Sequence, residues 1–533
     1  MKIRLVCIED GLENIGFRKI ASYIKNLNSD TKAVYAPTGN KLGIIRTMVE
    51  SDYGNLDKDD DINKLSTFLS EGDIVGISSM TAYSPTVHKV VKNIKKIKPK
   101  TFVIWGGIHP IIHPDDAIKH ADAICTGEGE FAFKTFLELY EKGDDYTKTP
   151  SFWFKKDGKI IKNRNFPLMT PKEMDNLPSL MYEDGEYVFH PGKGVESIKK
   201  SDFLKYGGLT YSTIWSIGCP FHCTYCGNTK FIEHDSAYKR LRHSSARYII
   251  DELKRVSKKH PHISTINFHD DSFLALPYVK LEEFCKLYKE EVKIPFAVVG
   301  IIPNYVKEDK ITLLLDAGMN RVRMGIQSGS ENILEFYKRP TKLLKIKEGM
   351  KIFNKYKKYM IPPAYDIILD NPVEKDEDAR ATVDLIYEMP RPFTLNVYAL
   401  RIIPNTPLAK DLEARGISIP SIKKNHFGYQ KTLGNCLIFA LCIWKIPEWL
   451  YKILRNKVHP SYAPQKHYPV LFFLCRTSYL IKRALQHIRF LDFSFFPGKP
   501  GYYLWKLKII QFWQKFMLKK YNLQSNEIGR TIS

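Results

Sequence analysis

The sequence predicts an α/β protein: an N-terminal doubly wound, Rossmann-like parallel sheet, a further series of strand–helix units, and a basic, mainly helical C-terminal region. Three observations lead there. Short β-branched runs alternate with helical stretches through the first third, glycines cluster just after those runs, and aromatic and basic residues crowd the last fifth. With 533 residues the chain has room for about three domains. A composition of 44% hydrophobic and 26% charged residues excludes disorder, collagen and a disulfide scaffold.

Residues 2–7, 33–36, 73–77, 101–105 and 122–125 are near-continuous apolar runs, the pattern of strands buried on both faces. Residues 17–27 and 85–97 carry helical character between them. A parallel sheet over residues 1–150 follows, and such sheets bind ligands beyond the carboxyl ends of their strands. Those ends carry Ser78-Ser79, Gly106-Gly107-Ile108-His109-Pro110 and Gly127-Glu128-Gly129-Glu130. Glycine lets a large flat ligand approach the backbone, and serine hydroxyls can hydrogen-bond it. A glycine pair after a strand is commonly only a turn. Three such ends in one domain point to a ligand of nucleotide size or larger. Residues 151–204 read as a connector, with Lys156-Asp157-Gly158-Lys159 as a hairpin turn.

The net charge is +23, and the stretch from Lys431 onward holds 17 Lys/Arg against three acids, a local net of +14. Within 503–521, Trp505, Phe512, Trp513 and Phe516 interleave with Lys506, Lys508, Lys515 and Lys519. Residues 411–533 therefore read as a basic amphipathic helical region. Its apolar face either packs on the preceding domain or meets an anionic membrane or a lipid-like substrate. Nucleic acid is the least favoured partner. The opening residues lack the features of a signal peptide, and the longest apolar run is too short to span a bilayer. A cytoplasmic protein is expected, with peripheral attachment at the inner face of the membrane as the alternative.

The most specific feature is Gly218-Cys219-Pro220-Phe221-His222-Cys223-Thr224-Tyr225-Cys226-Gly227, with spacing C-x3-C-x2-C. Structural zinc takes four ligands, usually in two pairs, and no second pair follows; the other six cysteines are scattered. Three close thiolates suit three corners of a [4Fe–4S] cubane, leaving one iron open.

This motif, with Tyr225 before its last cysteine, resembles the signature of the radical S-adenosylmethionine enzymes. The likeness continues through His269-Asp270-Asp271-Ser272-Phe273, the stretch from Gly318 to Ser330, Tyr365 to Pro372, and Ile403-Pro404-Asn405-Thr406-Pro407. Over residues 1–410 it resembles the subfamily with an N-terminal cobalamin-binding domain. The resemblance implies a partial (β/α)6 barrel over 205–410, a cluster on Cys219, Cys223 and Cys226, and S-adenosylmethionine on the open iron. It implies contacts to S-adenosylmethionine from Tyr225, Gln327, Ser328 and Asp271; many relatives have Glu at the Gln327 position. Asp270 and Asp271 could bind ribose or substrate hydroxyls, or merely cap the next helix. Cobalamin would meet Glu13, Gly16, Ser78, Ser79, Gly106, Gly107, His109, Gly127, Glu128 and Gly129. The family also implies an external one-electron donor of flavodoxin or ferredoxin type.

One departure stands out. Many cobalamin domains carry D-x-H-x-x-G in the first loop, the histidine ligating cobalt. Here Gly11 and Glu13 occupy the Asp and His positions and only Gly16 matches, so histidine ligation from this loop is not expected. The expected activity is methyl transfer to an unactivated carbon of a lipid or natural-product-like substrate. Ring formation, ring contraction or oxidation without methyl transfer is the alternative, and a non-catalytic cobalamin- or membrane-binding module the least favoured.

Overall fold

Continuous apolar segments make the first sheet. β1 (Ile3–Cys7), β2 (Thr31–Tyr35), β3 (Ile74–Ser78), β4 (Phe102–Gly106) and β5 (Ala123–Cys125) are buried almost throughout and pair in parallel in the order β5-β4-β3-β1-β2. The computed structural model describes residues 1–37, 56, 58–182, 185–417, 429–489 and scattered positions from 503 to 516, so most of the 503–521 segment lies outside the described residues. Register aligns Cys7 with Ser78 and Ser78 with Gly106, placing the carboxyl ends of three strands in one row. The order reverses between β1 and β3, the position where ligands settle in such sheets.

Residues 151–204, expected as a connector, add strands to this sheet at both edges. β6 (Phe152–Lys156) and β7 (Lys159–Lys162) form an antiparallel hairpin beyond β5, while β8 (Tyr187–His190) and β9 (Gly194–Ser197) lie beyond β2. Edge strands with unpaired backbone invite aggregation, and these additions cover both parallel edges. The hairpin turn falls at the expected Asp157-Gly158, with φ of +50° and +73°. Lysines at 155, 156, 159 and 162 hide the strand pattern, because one face of the hairpin is solvated. Leading into β8, buried Glu186 lies 3.4 Å from the Arg18 guanidinium and accepts from the Tyr35 hydroxyl at 2.5 Å. Removing either member of such a buried pair costs about 3–5 kcal/mol.

The second unit begins at β10 (Thr210–Thr213). A short antiparallel pair, β11 (Ser216–Ile217) with β12 (Arg242–His243), brackets the cysteine loop. Then follow β13 (Thr265–Phe268), β14 (Phe296–Ile301), β15 (Met319–Gln327), β16 (Ala364–Leu369) and β17 (Thr394–Ala399). With β10 they form six parallel strands in sequential order, with helices between them: the expected partial barrel. The helices Leu433–Ile443, Glu448–Arg455 and Pro469–Arg489 pack against the β17 side. There Tyr479 satisfies both backbone groups of Leu395 on the barrel's last strand. Among the described residues no helix is long and apolar enough to cross a membrane.

Candidate active site

The cysteine loop is fixed by backbone geometry before any metal enters. Gly218 has φ +117°, and a Cβ there would sit 2.6 Å from the Arg240 carbonyl oxygen, so only glycine fits. The Cys219 amide donates to the Tyr238 carbonyl at 3.2 Å, and the Thr224 amide to that of Tyr337 at 2.9 Å. At the end of β13, buried Asp270 accepts from the amides of Trp215 (3.1 Å) and Ser216 (2.5 Å) and from the Ser216 hydroxyl (2.6 Å). Burial still lifts its pKa to about 6. Asp271, expected to contact S-adenosylmethionine, accepts from the Tyr238 hydroxyl at 3.3 Å and is raised by burial. Neither acid caps a helix; the following helical segments start after Ser272 and Pro277. Both brace the loop that carries the cysteines.

Burial pushes the Cys219 thiol up to about 11 and Cys226 up to about 12, with Asp271 adding to both. Thiolates here need compensating cations, and cluster iron supplies them, so the donor set fits the cofactor. A second cation is Arg339, which sequence reading missed. Its buried guanidinium donates to Cys223 Sγ (3.8 Å), the Tyr225 hydroxyl (3.5 Å) and the Gly325 carbonyl (2.7 Å). Tyr225 is thereby turned toward Arg339 and stacks edge-on with Tyr337 at 4.8 Å. Phe221, Ile302 and Tyr305 close apolar surface around the thiols.

Gln327 ends β15 with a left-handed φ of +74°. Ser328, expected beside it as a ligand contact, is fully buried: its hydroxyl lies 3.2 Å from that of Thr382 and accepts from the Ser330 amide. Cross-strand register puts Ser212, Asn267 and Arg321 on one inward face, continued by Arg323, Asp366 and Asn396. Asp366 receives Arg323 Nε and Asn396 Nδ2, each at 2.8 Å. A polar lumen results.

Between the first sheet and that lumen lies a cavity of about 730 Å³. Glu13, Gly16, Ser78, Gly106, Gly107, Gly127 and Gly129 line it, and mid-strand Leu5, Gly76 and Ile104 extend it along the sheet. From the barrel come Ser212 and His269. Two observations test whether a large, amide-fringed disc such as cobalamin suits this space. Glu9 Oε1 and Ser212 Oγ are buried at its wall without a hydrogen-bond partner in the protein. A Cβ on Gly16 or Gly106 would meet no protein atom closer than 3.7 or 3.9 Å, so internal packing does not demand glycine there. The residues fit the cofactor.

Three expected contacts do not line the cavity. The Ser79 hydroxyl is buried and accepts from Trp105 Nε1 at 3.0 Å, because successive strand-end residues point to opposite faces. His109 is buried against the Trp105 ring, centroids 4.7 Å apart. Glu128 straps the two units together, accepting from Arg242 Nη2 and the Met169 amide at 2.8 and 2.7 Å. Glu9, just after β1 at the switch point, carried a positional signal and His269 stood in a quoted strand-end run without being assigned a contact; Ser212 and Arg339 carried none. The two stations meet where helix Ile108–Ile112 touches the cysteine loop: a Cβ on Gly227 would lie 3.4 Å from Ile112 Cδ1.

A three-cysteine loop in an open β/α barrel, facing a ligand cavity on a doubly wound sheet, defines a two-station α/β enzyme. Residues 213–386 match the radical SAM superfamily and residues 2–137 the B12 binding domain. The chain belongs to the cobalamin-binding radical S-adenosylmethionine enzymes, whose cofactors are a [4Fe–4S] cluster, S-adenosylmethionine and cobalamin. It is 25% identical over 378 residues to an uncharacterized methyltransferase of Pyrococcus horikoshii, covering 68% of this chain and 77% of that one. It is 23% identical over 319 residues to the anaerobic magnesium-protoporphyrin IX monomethyl ester cyclase of Synechocystis, covering 58% of each. The chain thus spans little more than half of the cyclase. The cobalamin-dependent S-adenosylmethionine radical enzyme OxsB, solved with aqua-cobalamin and S-adenosylmethionine bound, shares the fold with a TM-score of 0.60. That likeness covers 99% of this chain and 81% of OxsB at 14% identity.

Proposed function

We propose that this enzyme transfers a methyl group to an unactivated carbon of a lipid-like or natural-product-like substrate. One observation carries the reading: a single cavity has walls from both units, with Glu9, Glu13 and Gly106 on one side and Ser212 and His269 on the other. When bound, the reduced cluster supplies the electron that cleaves S-adenosylmethionine and cobalamin supplies the methyl group. The chain's own work is placement. Cys219, Cys223 and Cys226 would hold three irons of the cluster, Asp270 and Asp271 keep their loop in position, and Arg339 would offset thiolate charge. The Arg323–Asp366–Asn396 array orients polar groups in the lumen. A flavodoxin- or ferredoxin-type protein delivers the electron.

The lipid reading draws support from helix Pro469–Arg489. Phe472 and Tyr479 point inward, whereas Val470, Leu474, Ile481 and Leu485 form an exposed apolar stripe at i, i+4, i+11, i+15, flanked by exposed Leu471 and Phe473. On a region of net charge +14 this stripe suits an anionic bilayer surface. The cyclase relative favours ring formation without methyl transfer as the second reading. Anaerobic reconstitution with hydroxocobalamin, dithionite and methyl-labelled S-adenosylmethionine separates them. Label passing to cobalamin and onward to product supports methyl transfer; 5′-deoxyadenosine formed without label in cobalamin or product rejects it.

A further inference from the structure

On the far side of the Gly106-Gly107 turn, the helices Ser84–Ile97, Ile108–Ile112 and Pro114–His120 bring histidines and an acid into one group. His109 Nε2 lies 3.1 Å from Asp116 Oδ2, and His88 Nε2 lies 3.4 Å from the same oxygen. One donor atom from each of His88, His109 and Asp116 lies within 4.8 Å of the other two. Hydrogen bonding accounts for only part of this. His88 Nε2 is buried 3.4 Å from the carboxylate oxygen without good hydrogen-bond geometry, and His109 Nδ1 is buried without a partner. Among the described residues, no lysine or arginine pairs with Asp116. A carboxylate is thus faced by imidazoles alone.

The His88–Asp116 separation of 3.4 Å matches the edge of a metal coordination shell, and the 3.1 Å from His109 lies slightly inside it. Zinc binds imidazole nitrogen and carboxylate oxygen at about 2.0–2.2 Å, which sets neighbouring ligand atoms of a tetrahedron roughly 3.3–3.6 Å apart. We propose that His88, His109 and Asp116 form a binding site for a zinc-class divalent ion, distinct from the cysteine cluster. His88 and Asp116 are 28% and 27% exposed, so water can approach the group from the Asp116 side and would supply the fourth ligand. The ion would tie the helix before β4 to the two helices after it. His109 follows Gly107 and Ile108, both cavity-lining, and its amide donates to the Ser79 carbonyl at 3.1 Å. A metal here would therefore hold one rim of the cofactor cavity and the contact of Ile112 with Gly227.

The test uses the full-length protein with its cluster reconstituted, loaded with zinc sulfate and desalted. Elemental analysis and zinc-edge X-ray absorption should report one zinc per chain, bound by nitrogen and oxygen alone. His88→Ala and Asp116→Asn should each weaken zinc binding at least tenfold while retaining iron, with Asp115→Asn as the unaffected neighbour. The wild-type spectrum decides by itself even where a variant misfolds. Sulfur in the zinc shell, no retained zinc, or equal affinity in folded variants would overturn the site.

Discussion

The two cofactor stations are built by opposite means. The cysteine loop is a tightly fixed construction: three thiols, two carboxylates that brace the loop through Ser216 and Tyr238, and a buried guanidinium against Cys223. The cavity on the first sheet is mostly absence, glycines and apolar side chains around space, with a few polar atoms at its wall. Coordination chemistry needs particular atoms at particular places, whereas a large flat ligand needs room and a smooth surface. Damage should therefore be abrupt at the first station and graded at the second.

The largest effect is expected from Cys223→Ala. Formation of 5′-deoxyadenosine should fall below detection and iron content should drop, while cobalamin, measured by absorption, stays bound. Loss of cobalamin as well would break the separation between stations. Next comes Arg339→Gln. It removes a charge beside Cys223 and leaves the Gly325 carbonyl unpaired, at a cost of about 1–3 kcal/mol in stability. Cleavage of S-adenosylmethionine should slow roughly 10–100-fold, and the cluster potential should move; an unchanged potential would demote Arg339 to packing.

On the other side, Gly106→Leu keeps a Cβ the protein tolerates but sends a branch into the cavity. Cobalamin affinity should fall by about tenfold or more, equivalent to about 1.4 kcal/mol, with iron content unchanged. Glu9 gives a pH signature. Burial raises its carboxyl from the ordinary 4.5 to about 7. The folded protein keeps a proton that the unfolded chain releases, so this stability is full below about pH 4.5. It is lost as pH rises through about 7. Denaturant midpoints of wild type and Glu9→Gln should converge in acid, separate in favour of the variant as pH rises from about 4.5 to 7, and stay apart above it. Parallel pH curves would refute the assignment. The smallest effect is at the periphery: Leu474→Glu with Ile481→Glu should reduce flotation with anionic vesicles severalfold and leave both cofactors bound.

Legibility followed the same division. The strands of the first sheet were readable because parallel strands buried on both faces are continuously apolar. The edge strands at 152–162 were not, since one solvated face breaks that run with lysines, and those at 187–197 are only four residues each, parted by Pro191 and Gly192. The cysteine triad was visible because its chemistry is local in sequence. Arg339 reaches Cys223 across 116 residues and leaves no local trace. Ser79, His109 and Glu128 lay in the right segments yet point elsewhere: Ser79 by the alternation of a strand end, His109 because its helix turns it onto Trp105, and Glu128 because it pairs with Arg242 across the two units.

By itself the sequence determined the parallel strands of the first sheet, the three closely spaced thiols and the glycine-rich strand ends, since each depends on residues within a few positions of one another. Tertiary structure alone decided which strand-end side chains face the cavity, and that Ser212 and His269 close it from the barrel. It also decided that an arginine far along the chain sits against a cluster cysteine. Those are consequences of how two sheets pack, and packing joins residues that no local pattern links.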